Sequence, residues 1–371
     1  MKLAFLGDLC IGDDIPRISE GLRRHLADHD IRCVNLEGPL IGDGVPFRKA
    51  GPHLANSLES VGLMNSALIN LICTSNNHIM DWGEIRARKT IENAGIPSWG
   101  LQIPGFSSAV VRFSDEQGQS VSLISGTESF HGAIGDSDPI DAVGTISITS
   151  RRFQTLLCAE LEANDVVIVV AHCGLESVKF PLPEWREFFR SLIDLGARAV
   201  IAHHSHVIQP WEVYKGAPIF YSIGNFCVDR KYNGSSNSGL CVSIEIGANK
   251  SISFKVGEVE ISDDQKQVQL LESTLSQNQA DLDIASETVD KLCTAIYEDS
   301  IIPMLHDTLN AFGHRPTWKD VISIMRTRLA RRYIDNSDIA QLQRTLILEH
   351  LFRVESNRWM IQRALRRKST Q

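Results

Sequence analysis

The sequence predicts an α/β domain over residues 1–261 and a mainly helical C-terminal region over 262–371. Three observations predict it. Short β-rich runs alternate with helical stretches as far as Ile261, several of those runs are apolar throughout, and several stop at Gly, Asn, Asp or His. Strands covered on both faces require such runs, and a polar stop marks where a loop must begin.

In chain order the runs are KLAFLG (2–7), RCVNLEG (32–38), LINLICTSN (68–76), SVSLISG (120–126), DVVIVVAHCG (165–174), AVIAHH (199–204), PIFYSIG (218–224) and LCVSIEIG (240–247). Between them, residues 81–95 and 183–197 read as helices with acidic residues near the start and a glycine stop. Past residue 257 the composition changes: 258–300 carries eleven acidic residues against two basic ones, and helical spacing replaces β-rich runs. From Arg315 onward thirteen Lys or Arg face five Asp or Glu, and Ile339, Leu342, Leu346 and Val354 are spaced as one helix face. That basic C-terminal helix reads either as a solvated face or as a peripheral contact to an anionic lipid or polymer.

Composition excludes several classes. A net charge of −8 argues against a nucleic-acid partner, which recruits clustered positive charge. The opening apolar run is broken by Gly7 and Asp8, too early for an export signal, and no apolar segment is long enough for a transmembrane anchor. Eight cysteines include no C-x-x-C pair, so a zinc ribbon is not indicated and a cytoplasmic chain with reduced thiols is expected. GDLCIGDD lacks the Gly-Lys-Ser/Thr of a phosphate loop.

The chemistry is concentrated where strands end. Asp8, Glu37, the Asn76–His78 tripeptide, His172 and the His203–His206 cluster follow five apolar runs, and parallel strand ends converge on one side of a sheet. Carboxylates, imidazoles and an amide oxygen suit hard-to-borderline divalent cations such as manganese, iron or zinc. Alternate residues of an extended segment point the same way, so His204 and His206 are expected to share a pocket while His203 points away. A cation held there lowers the pKa of bound water to roughly 7, and hydrolysis is the natural reaction class.

GDLCIG, NLEGPL, NNHIMDWG, HCGLE, AHHSHVIQPWEVYKG and YSIGNF, in this order, resemble the motifs of the CapA-like family of bacterial capsule and poly-γ-glutamate synthesis proteins. That family is a branch of the calcineurin-like metallophosphoesterases, and the resemblance spans about residues 1–230. It implies an αββα sandwich with one or two divalent metal ions at the strand ends. By motif, Asp8, Glu37, Asn77, His172, His204 and His206 would be ligands, and His78 the catalytic histidine, with Asp81 as its orienter. Asn76, Arg48, Glu176, His203 and Asn225 would face an anionic or polymer-precursor substrate. The sequence departs from the superfamily pattern at Cys10, Ile79 and Ala202, which stand for a ligand His, an acidic residue and a Gly. The resemblance implies a phosphoesterase-like hydrolase in capsule, exopolysaccharide or polyglutamate biosynthesis. A non-catalytic accessory subunit of a polymer synthase or export complex and a metal-dependent amidohydrolase or deacetylase are the alternatives, and a homodimer is the oligomeric option.

Overall fold

The computed structural model describes residues 1–40, 44–49, 51–229, 238–262, 266–271, 286–296, 298, 350, 351 and 353–369. Two compact units divide the chain: residues 1–47 with 53–283, and residues 48–52 with 284–371.

The first unit is built on two large sheets. One runs in the order β2 (Arg17–Ile18), β18 (Gln267–Leu271), β17 (Ile252–Ile261), β16 (Ser238–Ile246), β1 (Lys2–Cys10), β3 (Ile31–Leu36), β4 (Leu71–Cys73) and β5 (Ser98–Trp99), with β15 (Asn225–Val228) also pairing β1. The other runs β13 (Trp211–Tyr214), β14 (Ala217–Phe220), β12 (Ala199–His203), β11 (Val166–His172), β8 (Ser120–Thr127) and β7 (Val110–Ser114). A small third sheet joins β6 (Leu101–Gln102), β10 (Gly144–Ile146) and β9 (Ala133–Ile134). In the first sheet β1, β3, β4 and β5 are parallel, and in the second β8, β11, β12 and β14 are.

The inner faces share one core. Leu3, Phe5, Leu71 and Trp99 of the first sheet pack with Leu123, Val166, Ile168, Ile201 and Phe220 of the second. Alternation sends Ala4, Leu6, Val34 and Ile72 to the other face of the first sheet, where Leu22 and Leu26 of α1 (Glu20–Ala27) and Leu63 and Met64 of α2 (Ser60–Ser66) complete a second core. The second sheet is covered by α4 (Arg151–Ala163) and α5 (Pro183–Leu195), which follows α3 (Gly83–Asn93) and α4 in the chain. In α5 the buried Trp185, Phe189, Leu192 and Ile193 form one stripe, Pro183 opens the first turn, and Gly196 at φ 123° stops it. α4 starts where Ser150 Oγ accepts the Phe153 N–H at 3.1 Å. The result is the expected αββα sandwich.

The boundary lies elsewhere than composition suggests. β18 at 267–271 pairs with β17 inside the first sheet, so the unit runs on past 261. Its QVQLL alternates polar and apolar residues over the first four positions, as a strand with one buried face requires, and the acidic surroundings mask it. In the second unit, helices Ser286–Ile296 and Glu355–Ser369 pack together, and Arg363 donates to Asp290 at 2.7 Å. Ile339, Leu342 and Leu346 lie outside the described residues. Among the described residues, no helix is long and apolar enough to cross a membrane.

Two features of the first unit carry predictions. A Cβ on Gly7 would stand 2.1 Å from the Gly224 carbonyl oxygen, which itself accepts the Asp8 N–H at 3.0 Å. Backbone has nowhere to go there, so Gly7→Ala is expected to cost about 3 kcal/mol or more in a denaturant melt, the upper end for overpacking. His25 Nε2 on α1 and His29 Nε2 just past its end both reach Ser243 Oγ, at 3.2 and 2.8 Å. Burial first, then the charge of His29 on His25 and of Lys2 and Arg32 on His29, hold both pKa values below the usual histidine value. The unfolded chain therefore binds more protons below its ordinary histidine pKa of about 6.5, so stability is full above that pH and falls as pH drops through it. Thermal melts at several pH values should show this slope, and the double variant His25→Gln/His29→Gln should flatten part of it.

Candidate metal centre

The polar strand ends meet in the first unit, on the side where the parallel strands finish. Asp8 sits inside β1 rather than at its end, at an irregularity in its pairing with β15 and β3. That break turns its fully buried carboxylate toward the loop after β12, where Oδ2 accepts the His204 N–H at 3.3 Å and stands 3.4 Å from His206 Nδ1. Glu37 follows β3, fixed by its own N–H bonding Leu9 O at 2.9 Å. Its carboxylate is completely buried and neither oxygen has a hydrogen-bond partner.

Two groups of donor atoms share Glu37: Glu37, His172 and His204, and Asp8, Glu37 and His206. His172 Nε2 lies 2.8 Å from Asn77 Oδ1, 3.2 Å from His204 Nδ1 and 3.6 Å from Glu37 Oε1. Donor atoms each about 2.0–2.2 Å from one ion stand at such separations. On the other side His206 Nε2 is 3.6 Å from Glu37 Oε1.

Electrostatics agrees with a site built for cations. Burial pushes Glu37 up to about 8 against the pull of His206. Burial pushes His172 well below its usual value, and His204 down to about 4 despite Glu176, so both rings present lone pairs at neutral pH. Burial would also lower His206, but Glu37 and Asp8 overcome it and raise it to about 9. A fully buried carboxylate without a hydrogen bond costs several kcal/mol, more than the pull of His206 returns, and a cation in contact with it removes that cost. The donor set and the orphaned Glu37 oxygens thus fit one or two divalent ions.

His78 stands beside the cluster and belongs to neither group. Its Nδ1 is 2.7 Å from Asp81 Oδ2, and that oxygen also accepts the Leu54 N–H at 2.8 Å. Asp81 therefore holds the proton on Nδ1 and fixes the ring.

Other sequence expectations need correction. His204 and His206 are not alternating positions of an extended segment: β12 ends at His203, and both adopt left-handed backbone, φ 94° and 56°. The turn, not strand alternation, brings them together. His203 faces away and its Nε2 reaches Leu6 O at 3.3 Å, so it ties the two sheets rather than meeting substrate. Asn76 is used up by the loop: Oδ1 accepts from Gly38 and His78, and Nδ2 donates to Leu36 O and Asn35. Asn225 clamps His206, with Oδ1 3.0 Å from Nδ1 and Nδ2 donating to His206 O. Glu176 is exposed and stands at the rim, 3.9 Å from His204 Nε2. Arg48 is exposed and belongs to the second unit. Cys10, where the superfamily has a ligand His, is buried with Leu54 and Val228.

Three contributors escaped sequence reasoning. Asn35 donates to Asp8 Oδ1 at 2.7 Å; its signal is a lone amide in an apolar run, two residues before Glu37. Phe130 lays its ring 4.9 Å from that of His204 and 6.4 Å from that of His172. Buried Glu128 accepts the Gly174 N–H at 2.6 Å and so steadies the loop after His172.

Residues 2–230 match the family model described as bacterial capsule synthesis protein PGA_cap. The PGA biosynthesis protein CapA of Bacillus subtilis is 27% identical over 277 residues, 70% of this chain and 72% of its own length. The capsule biosynthesis protein CapA of Bacillus anthracis is 25% identical over 257 residues, 65% of this chain and 62% of its own. Among solved structures, the calcineurin-like phosphoesterase YfkN from Bacillus subtilis overlays with a TM-score of 0.40 at 14% identity, covering 75% of this chain and 93% of that one.

Proposed function

The chain belongs to the bacterial capsule synthesis family PGA_cap, and from that premise we propose that it is a metal-dependent phosphoesterase-like hydrolase serving capsule, exopolysaccharide or polyglutamate biosynthesis. The observation that carries this reading is Glu37, a buried carboxylate without hydrogen bonds, shared by two sets of ligand atoms. Glu37, Asn77, His172 and His204 would hold one cation, and Asp8, Glu37 and His206 another. A divalent ion so held supplies Lewis-acid polarisation of a phosphoryl oxygen and a water acidified toward a pKa of about 7.

The chain's own residues supply the rest. His78 lies near enough to His172 and His204 for its charge to disfavour theirs, yet outside both ligand sets. With Nδ1–H committed to Asp81, its Nε2 is the atom that can give a proton to a departing oxygen. Phe130 closes the flank of His172 and His204 against water. Asn225 holds the His206 ring by its Nδ1, leaving Nε2 toward Glu37.

The test is elemental analysis of protein purified without chelators, followed by a phosphoester panel with added manganese. Stoichiometric metal and metal-dependent turnover are expected. Protein that loads metal but hydrolyses no ester, with pocket variants that leave polymer synthesis intact in the host, would favour the accessory-subunit role instead.

A further inference from the structure

We propose that Asn35 is a positioning residue for the weaker, exchangeable half of the centre: it holds Asp8 Oδ1 and so fixes the carboxylate with Oδ2 toward the cation of that half, which has the fewer protein ligands. This rests on the metal-centre reading above. It follows from a chain of hydrogen bonds whose direction the backbone dictates. Asn76 Oδ1 accepts two main-chain N–H groups, from His78 at 3.1 Å and Gly38 at 3.3 Å, which leaves its Nδ2 as a donor. That Nδ2 gives to Leu36 O at 2.8 Å and to Asn35 Oδ1 at 3.2 Å. Asn35 Oδ1 must therefore be the acceptor, so its Nδ2 faces Asp8, 2.7 Å from Oδ1, with His172 Nδ1 farther off at 3.5 Å. All three side chains are buried, Asn35 and Asp8 to 1% and 0% exposure, and no water competes for these bonds.

Asp8 is thus held as an acceptor with Oδ1 engaged by the Asn35 amide. Its other oxygen points to the His204 N–H and to His206. The Asp8 half then offers three protein atoms, from Asp8, Glu37 and His206, whereas the other half offers four, from Glu37, Asn77, His172 and His204. Cys10 packs in an apolar group with Leu54 and Val228 and belongs to neither ligand set. Fewer protein ligands make the Asp8 half the one that empties first.

The experiment is a calorimetric titration of the chelator-stripped full chain with Mn²⁺. Two steps are expected, separated by about tenfold or more, and Asn35→Ala should weaken the weaker step by about 10–100-fold, the usual cost of losing a ligand's hydrogen-bond partner, and the tighter step less, because the Asn35 amide is 2.7 Å from Asp8 Oδ1 and 3.5 Å from His172 Nδ1. Asp8→Asn should erase the same step and spare the tighter one, which keeps the test decisive if Asn35→Ala folds poorly. Two equal steps, one step only, or an Asn35→Ala loss as large on the tighter step as on the weaker would overturn the proposal while leaving the metal centre standing. No Mn²⁺ binding by the unaltered chain would remove both.

Discussion

His78→Ala is expected to lower phosphoester turnover by about 10²–10⁴, the range for losing a general acid, with metal content unchanged. The ring belongs to neither ligand group, and Asp81 holds its Nδ1 at 2.7 Å. Esters with good leaving groups need little protonation and should be spared, so the ratio of rates on a poor and a good leaving group is the informative readout. His78→Gln should behave like Ala, because an amide cannot release a proton at neutral pH. Asp81→Asn should give a smaller loss with the same leaving-group signature, since the ring stays but its orientation and tautomer are no longer set. Should His78→Ala strip metal as thoroughly as His206→Ala, His78 is a ligand and the proton must come from elsewhere.

Glu37→Gln should have opposite effects on stripped and loaded protein. Without a cation neither Glu37 oxygen accepts a hydrogen bond among the described residues and burial outweighs the pull of His206, so replacing the carboxylate by an uncharged amide should raise the stability of stripped protein by about 1–3 kcal/mol. With Mn²⁺ at about 100 times its dissociation constant the unaltered chain should gain about 2.7 kcal/mol, and the variant should gain far less. Thermal melts of both proteins with chelator and with Mn²⁺ give all four values. A stripped variant less stable than the stripped parent would mean that Glu37 is satisfied by the fold itself, and the case for a cation would lose its strongest support.

Much of the sandwich is written in apolar continuity. Runs such as VVIVVA at 166–171 have no polar face, so they must be covered on both sides, and His172 and Glu37 stand where such runs stop. The short strands were not legible in the same way. β5, β6, β9 and β2 are two residues long, and strands of that length exist only through their partners. The site was harder for another reason. Whether an amide such as Asn76 or Asn225 meets substrate or ties down a loop depends on which backbone groups lie near it, and sequence does not show that. Asn35 and Phe130 are ordinary core-like letters until Asp8, His172 and His204 are placed against them. The gathering of His204 and His206 came from turn geometry that no alternation rule contains.

That turn has a consequence for what the metal has left to do. Two histidines in the left-handed region within three residues hold strain on the order of 1–3 kcal/mol each. Bonds through the loop maintain it: Ser177 donates to Ser205 O at 2.8 Å, Gln209 to Ser205 Oγ at 3.1 Å, and Asn225 to His206 O at 3.2 Å. The imidazoles are therefore aimed before any cation arrives, and loading asks the loop for almost no loss of freedom. Such a rigid mouth discriminates by size: an ion that needs longer bonds must either distort the loop or go without one of its histidines, so calcium should be refused where manganese is accepted.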